Sequence, residues 1–185
     1  MAFISETGGN ASVISHCIIE RGAKNVSGTG EGSEGGGIYI SGSSPAIKSV
    51  IIRNNSASMG GGVYSENSAT NFMNCIFYNN QAIDGGGVFL GTGSESKLIN
   101  SVVSNNSAPA SGCNITLDNG NQGTGPVIIN SIIWGTDISV AINYGASRVA
   151  ATSDFLNCAI QGYIGGYSDY SPLVRKQQYQ WAAVY

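Results

Sequence analysis

Six stretches of this chain repeat one pattern, and that repeat narrows the choice of fold more than any other feature. They are Ile14-Ser-His-Cys-Ile-Ile19, Ile47-Lys-Ser-Val-Ile-Ile52, Phe72-Met-Asn-Cys-Ile-Phe77, Leu98-Ile-Asn-Ser-Val-Val103, Ile128-Ile-Asn-Ser-Ile-Ile133 and Phe155-Leu-Asn-Cys-Ala-Ile160. Their starts lie 33, 25, 26, 30 and 27 residues apart. A second set keeps step with the first: Gly35-Gly-Gly-Ile-Tyr39, Gly60-Gly-Gly-Val-Tyr64 and Gly85-Gly-Gly-Val-Phe89. Between the two sets stand Asn55-Ser-Ala57, Asn80-Gln-Ala82 and Asn106-Ser-Ala108.

A period near 25 also suits leucine-rich repeats and helical hairpins. The leucine frame is missing, and glycine triplets among β-branched residues do not sustain helices. Short β-branched runs punctuated by Gly and Asn read as strands joined by tight turns. About 25 residues then makes three strands and three turns, one coil of a right-handed parallel β-helix, and five to six coils are expected. Each aligned position becomes a ladder of like side chains. The first column (Ile14, Ile47, Phe72, Leu98, Ile128, Phe155) is core. The third (His16, Ser49, Asn74, Asn100, Asn130, Asn157) is expected to stack amides that hydrogen-bond from coil to coil, with Asn55, Asn80 and Asn106 as a second such ladder.

Phe77-Tyr-Asn-Asn80 followed by Gly85-Gly-Gly-Val-Phe89 resembles the FxxN and GGA[ILV] repeats of polymorphic outer-membrane proteins, within the pectin-lyase-like β-helix superfamily. Ile52-Arg-Asn-Asn55 and Val103-Ser-Asn-Asn106 fit the first motif, whereas the alanine of the second is glycine here. The resemblance spans roughly residues 3–162. It implies a bacterial surface or secreted adhesin, a passenger-like scaffold whose partners are surface glycans or host cell-surface proteins. Residues 1–162 are thus expected to be coils and 163–185 a capping or truncated segment. Phe3-Ile-Ser-Glu6 aligns with Val63-Tyr-Ser-Glu66, so the chain is expected to begin in mid-coil as a piece of a larger protein.

Composition excludes several function classes. Charged residues are 10% of the chain, the formal net charge is −3, and the eight Lys and Arg are scattered. Nucleic-acid binding needs a basic stripe, which is missing. No apolar run is long enough for a membrane-spanning helix. Cys17, Cys75, Cys113 and Cys158 lack CxxC spacing, and His16 is the single histidine, so neither a metal centre nor a cofactor is expected. Cys17, Cys75 and Cys158 share the fourth column, whole coils apart, and are expected to stay reduced.

Few residues suggest chemistry. Glu34 and Asp84 occupy one column with Met59 between them, about 9–10 Å apart, near the upper spacing of an inverting glycosidase pair. The competing account is two turn carboxylates. A polysaccharide lyase needs a cationic base beside an acidic cluster, which Lys48 and Arg53 lack. Asp118-Asn-Gly-Asn121 lacks the ligand spacing of a calcium loop. Tyr39, Tyr64 and Phe89 form an outward aromatic column that could grip sugar rings or simply brace the coils. A non-catalytic surface module is favoured, with a carbohydrate-binding or carbohydrate-active β-helix as the alternative. The fifth column (Ile18, Ile51, Ile76, Val102, Ile132, Ala159) is expected to face outward. Ile51, Ile76, Val102 and Ile132 should then be covered by a loop, the 163–185 tail or a second molecule.

Overall fold

β-branched triplets separated by αL corners wind the chain into a parallel β-solenoid. The computed structural model describes residues 1–4, 12–24, 32–109, 114–118, 125–134, 140–144, 155–160 and 163–165, and all its regular elements are strands. They assemble into three parallel sheets. Sheet 1 holds Ala2–Ile4, Ile38–Ser41, Val63–Glu66, Val88–Leu90, Ile115–Leu117, Val140–Tyr144 and Tyr163–Gly165. Sheet 2 holds Val13–Ser15, Ala46–Lys48, Asn71–Met73, Lys97–Ile99, Val127–Ile129 and Phe155–Leu156. Sheet 3 holds Ile18–Glu20, Ile51–Arg53, Ile76–Tyr78, Val102–Ser104, Ile132–Trp134 and Ala159–Ile160. The stack amounts to about four turns, slightly fewer than the five to six expected. Several corners of the terminal coils fall outside the described residues, so those coils contribute strands more than complete turns.

The expected columns are the observed registers. Ile14, Ile47, Phe72, Leu98, Ile128 and Phe155 pair in sequence along sheet 2. Ile19, Ile52, Phe77, Val103, Ile133 and Ile160 do so along sheet 3. With Ile38, Val63, Val88 and Ile115 of sheet 1 they fill a narrow core, from which water is excluded in the middle coils.

Two expectations need correction. Phe3 pairs with Ile40, which pairs with Ser65; it does not align with Val63. The register is therefore displaced by two residues, a slip that the alternation of inward and outward positions cannot detect. The third column is not an amide ladder. His16, Ser49, Asn74, Asn100, Asn130 and Asn157 share a left-handed backbone, φ 48–55°, and all but Ser49 are exposed. Asn tolerates αL better than other residues with a Cβ, so the column selects for backbone shape.

The hydrogen-bonded ladder is the second one. Asn55 Nδ2 donates to Asn80 Oδ1, Asn80 Nδ2 to Asn106 Oδ1 and Asn106 Nδ2 to Asn114 Oδ1, each at 3.0 Å. The same nitrogens donate to the carbonyls of Ile19, Ile52 and Phe77. Each Oδ1 also accepts a backbone N–H from the coil before, beginning with Gly22 at 2.9 Å. Every buried amide is thereby satisfied. The third glycine of each triplet makes room: a Cβ on Gly62 would lie 2.5 Å from the Gly87 carbonyl oxygen and 3.0 Å from Asn80 Nδ2.

The fourth column is a second polar ladder inside the wall. Ser101 Oγ and Ser131 Oγ donate to the carbonyls two residues earlier and accept the N–H of Cys75 and Ser101 from the coil before. Cys75 and Cys158 Sγ reach equivalent carbonyls at 3.4 Å. Burial raises both thiols above their ordinary pKa. Cys17, Cys75 and Cys158 are free thiols, as the column alignment requires; Cys113 lies outside the described residues.

Candidate functional site

The outward column of sheet 1 is where the sequence concentrates its aromatic and acidic candidates. Tyr39 pairs with Tyr64 and Tyr64 with Phe89, so the three rings rise on successive strands. Their centroids are 5.6 and 5.2 Å apart and their planes within 7° and 18° of parallel. The alternation does point them away from the core, yet Tyr64 and Phe89 are only 9% and 6% exposed. Each ring covers the next. Tyr39 is half-buried, with Lys24 Nζ 5.4 Å from its centroid. The faces that a sugar ring would stack on are thus largely occupied by neighbouring rings and an ammonium group.

Sequence inspection missed the residue that organises this column. Glu66 Oε1 accepts from Tyr39 Oη at 3.2 Å and Ser41 Oγ at 2.8 Å, while Oε2 accepts from Tyr64 Oη at 3.1 Å. Burial and the Glu66 carboxylate raise the Tyr64 phenol well above its ordinary value. Tyr39 is also raised, chiefly by burial, with Ser41 pulling the other way. The only signal was position: Glu66 sits two residues past Tyr64, on the same outward side.

Glu34 and Asp84 do share a column, since Glu34 bridges to Met59 and Met59 to Asp84. Each has its own separate partners. Glu34 accepts from Gly32 N at 3.1 Å and Ser33 Oγ at 3.4 Å. Asp84 accepts a short hydrogen bond from Thr116 Oγ1, which continues the aromatic column below Phe89. The Met59 side-chain position separates the two carboxylates, and nothing in this arrangement couples them.

A third polar group lies inside the solenoid. Ser65 takes the inward position between Ile40 and Leu90, and with Ser68, Ser94 and Ser96 forms a buried hydroxyl cluster at the corner between sheets 1 and 2. Thr70 donates its backbone N–H to Ser96 Oγ, but its own Oγ1 has no hydrogen-bond partner. Among the described residues no group of three or more His, Cys, Asp or Glu is placed to hold a metal ion. No helix there is long and apolar enough to cross a membrane. Asn119–Asn121 of the calcium-like stretch lie outside the described residues.

The three corners differ sharply in what they carry. Between sheets 2 and 3 the connection is two residues in all six coils: 16–17, 49–50, 74–75, 100–101, 130–131 and 157–158. Between sheets 1 and 2 it varies from four to ten residues, through 5–12, 42–45, 67–70, 91–96, 118–126 and 145–154. No family model, no curated protein and no solved structure matches the chain.

Proposed function

We propose that this chain is a non-catalytic β-helix module of a bacterial extracellular surface protein, an adhesin- or passenger-like scaffold that carries binding loops on a rigid stack. The observation that carries this reading is the corner asymmetry. One corner stays at two residues at all six sheet 2–sheet 3 connections while the sheet 1–sheet 2 corner varies between four and ten. Constant wall geometry with variation confined to loops is how scaffolds separate stability from recognition. The disposition of polar groups agrees with it. The Asn amides, the Ser65 cluster and Glu66 are all engaged in bracing the stack, and Glu34 and Asp84 are each tied to their own surroundings. The repeats that resemble polymorphic outer-membrane proteins of the pectin-lyase-like superfamily supply the surface location and the partner class, a glycan or host cell-surface protein.

Immobilised chain tested against glycan arrays and host-cell surfaces checks the reading. Binding is expected to be lost when 118–126 is replaced by the four-residue connection of 67–70, and to survive Glu34→Gln and Asp84→Asn. Release of sugar fragments from a polysaccharide, abolished by Glu34→Gln or Asp84→Asn, would instead establish the carbohydrate-active alternative.

A further inference from the structure

Sheet 3 turns a ladder of apolar side chains to solvent, uncovered among the described residues. Ile18, Ile76 and Ile132 are 51%, 39% and 46% exposed, and Ile51 and Val102 half-buried, so a bend that would place the column inside does not occur. The next outward column reads Glu20, Arg53, Tyr78, Ser104 and Trp134, with Trp134 46% exposed. No loop obstructs the adjoining sheet 2–sheet 3 corner. The charges on these two columns, Glu20 and Arg53, pair with each other at 2.7 Å, so covering the face leaves no isolated ion.

We propose that a second copy of this chain covers the ladder, sheet 3 packing face to face on sheet 3 with the order of coils reversed. A two-fold axis parallel to the strands sets Ile51–Arg53 opposite the second copy's Ile132–Trp134, and Ile76–Tyr78 opposite its Val102–Ser104. Large then meets small or its equal: Ile18 faces Ala159, Ile51 faces Ile132 and Ile76 faces Val102. In the second column Tyr78 faces Ser104, and Arg53 faces Trp134, the ring that best attracts a guanidinium. Arg53 already lies 5.8 Å from the Tyr78 ring centroid, the posture such a contact needs. The other two-fold arrangement, with coils in matching order, sets Arg53 against Ile51 and buries its charge on an apolar side chain. Aligned sheets pack about 10 Å apart, which suits interleaved β-branched side chains. A face one strand wide and six coils tall falls below the roughly 800 Å² per partner of a stable complex, so the dimer is a dissociable one. This inference is independent of the scaffold reading, because it invokes neither the loops nor their ligand.

Sedimentation of the full chain over a concentration series tests it. The mass is expected to rise from 19.0 kDa toward twice that value by about 0.5 mM, the upper end for a weak interface of this size. Ile76→Lys should abolish the rise, and Trp134→Ser should weaken association about tenfold, both with an unchanged β-type circular dichroism spectrum. In a Cys17→Ser background, mild oxidation should link Ile51→Cys to Ile132→Cys in a mixture but neither variant to itself. A chain that stays monomeric, a dimer untouched by either surface variant, or an Ile51→Cys homodimer would each overturn the proposal.

Discussion

Asn80 shows how much of this fold rests on single side chains. Its Nδ2 donates to Ile52 O and Asn106 Oδ1, and its Oδ1 accepts from the Asn55 backbone and amide nitrogens. Asn80→Ala leaves several of these groups buried and unpaired, and the urea midpoint should fall by an amount equivalent to about 3 kcal/mol. Gly62→Ala drives a Cβ to 2.5 Å from the Gly87 oxygen and is expected to cost about 2 kcal/mol in the same assay. Thr70→Val acts in the opposite sense. Its Oγ1 is buried without a partner, so a methyl group of similar volume should stabilise the chain by about 1 kcal/mol. The first two positions were legible in the sequence because each repeats at one coil's spacing. Thr70 and the Ser65 cluster were not, since they belong to one corner and recur nowhere. Asn114 was also hidden. It stands in the glycine column, immediately before Ile115, and its amide enters the Asn ladder from eight residues beyond Asn106 rather than a full coil.

The sheet 2–sheet 3 corner sets the wall angle with one αL residue per coil. Asn fills that position in four coils, while His16 and Ser49 fill it in the first two at φ 52° and 54°. Ser49→Asn should therefore stabilise the second coil by about 0.5 kcal/mol, and Asn100→Val should destabilise the fourth by about 1–2 kcal/mol, both read from thermal midpoints. A sequence pattern of stacked Asn is compatible with two physical causes, a chain of amide hydrogen bonds or a demand on φ. Spacing alone does not separate them. The FxxN-like stretches contain both: Asn79 is the αL corner at φ 53°, and Asn80, one residue on, is the buried hydrogen-bonder. Strand register was far easier to read, because inward columns combine size, branching and period in a way few alternatives satisfy. The displacement at Phe3 marks the limit, where a two-residue shift preserved the inward side.

Taken whole, the molecule is a column whose stability is a sum over neighbouring coils. Its buried acids predict an alkaline limit. Cys75, Cys158 and Tyr64 have pKa values raised by burial above the ordinary 9.0 and 10.0, so the folded chain holds these protons more tightly than the unfolded one. Their contribution is complete below about pH 9 and is lost as pH climbs through that range and beyond, which denaturation at pH 7 and pH 10.5 should reveal as a lower midpoint at the higher pH. Thiol labelling at pH 8 gives a second reading. Cys17 is exposed and should react at once, whereas Cys75 and Cys158 should react only on unfolding. The Asn ladder carries one more consequence. Its Asn55, Asn80 and Asn106 amides point the same way, each giving one hydrogen back to a carbonyl of the coil before and the other forward to the next Asn. During synthesis the newest coil therefore always ends on unmet donors, and these are met only when the following coil emerges. The stack is built like a zip with a preferred running direction, its leading edge unfinished until Asn114 arrives and passes its own hydrogen to the Trp134 carbonyl.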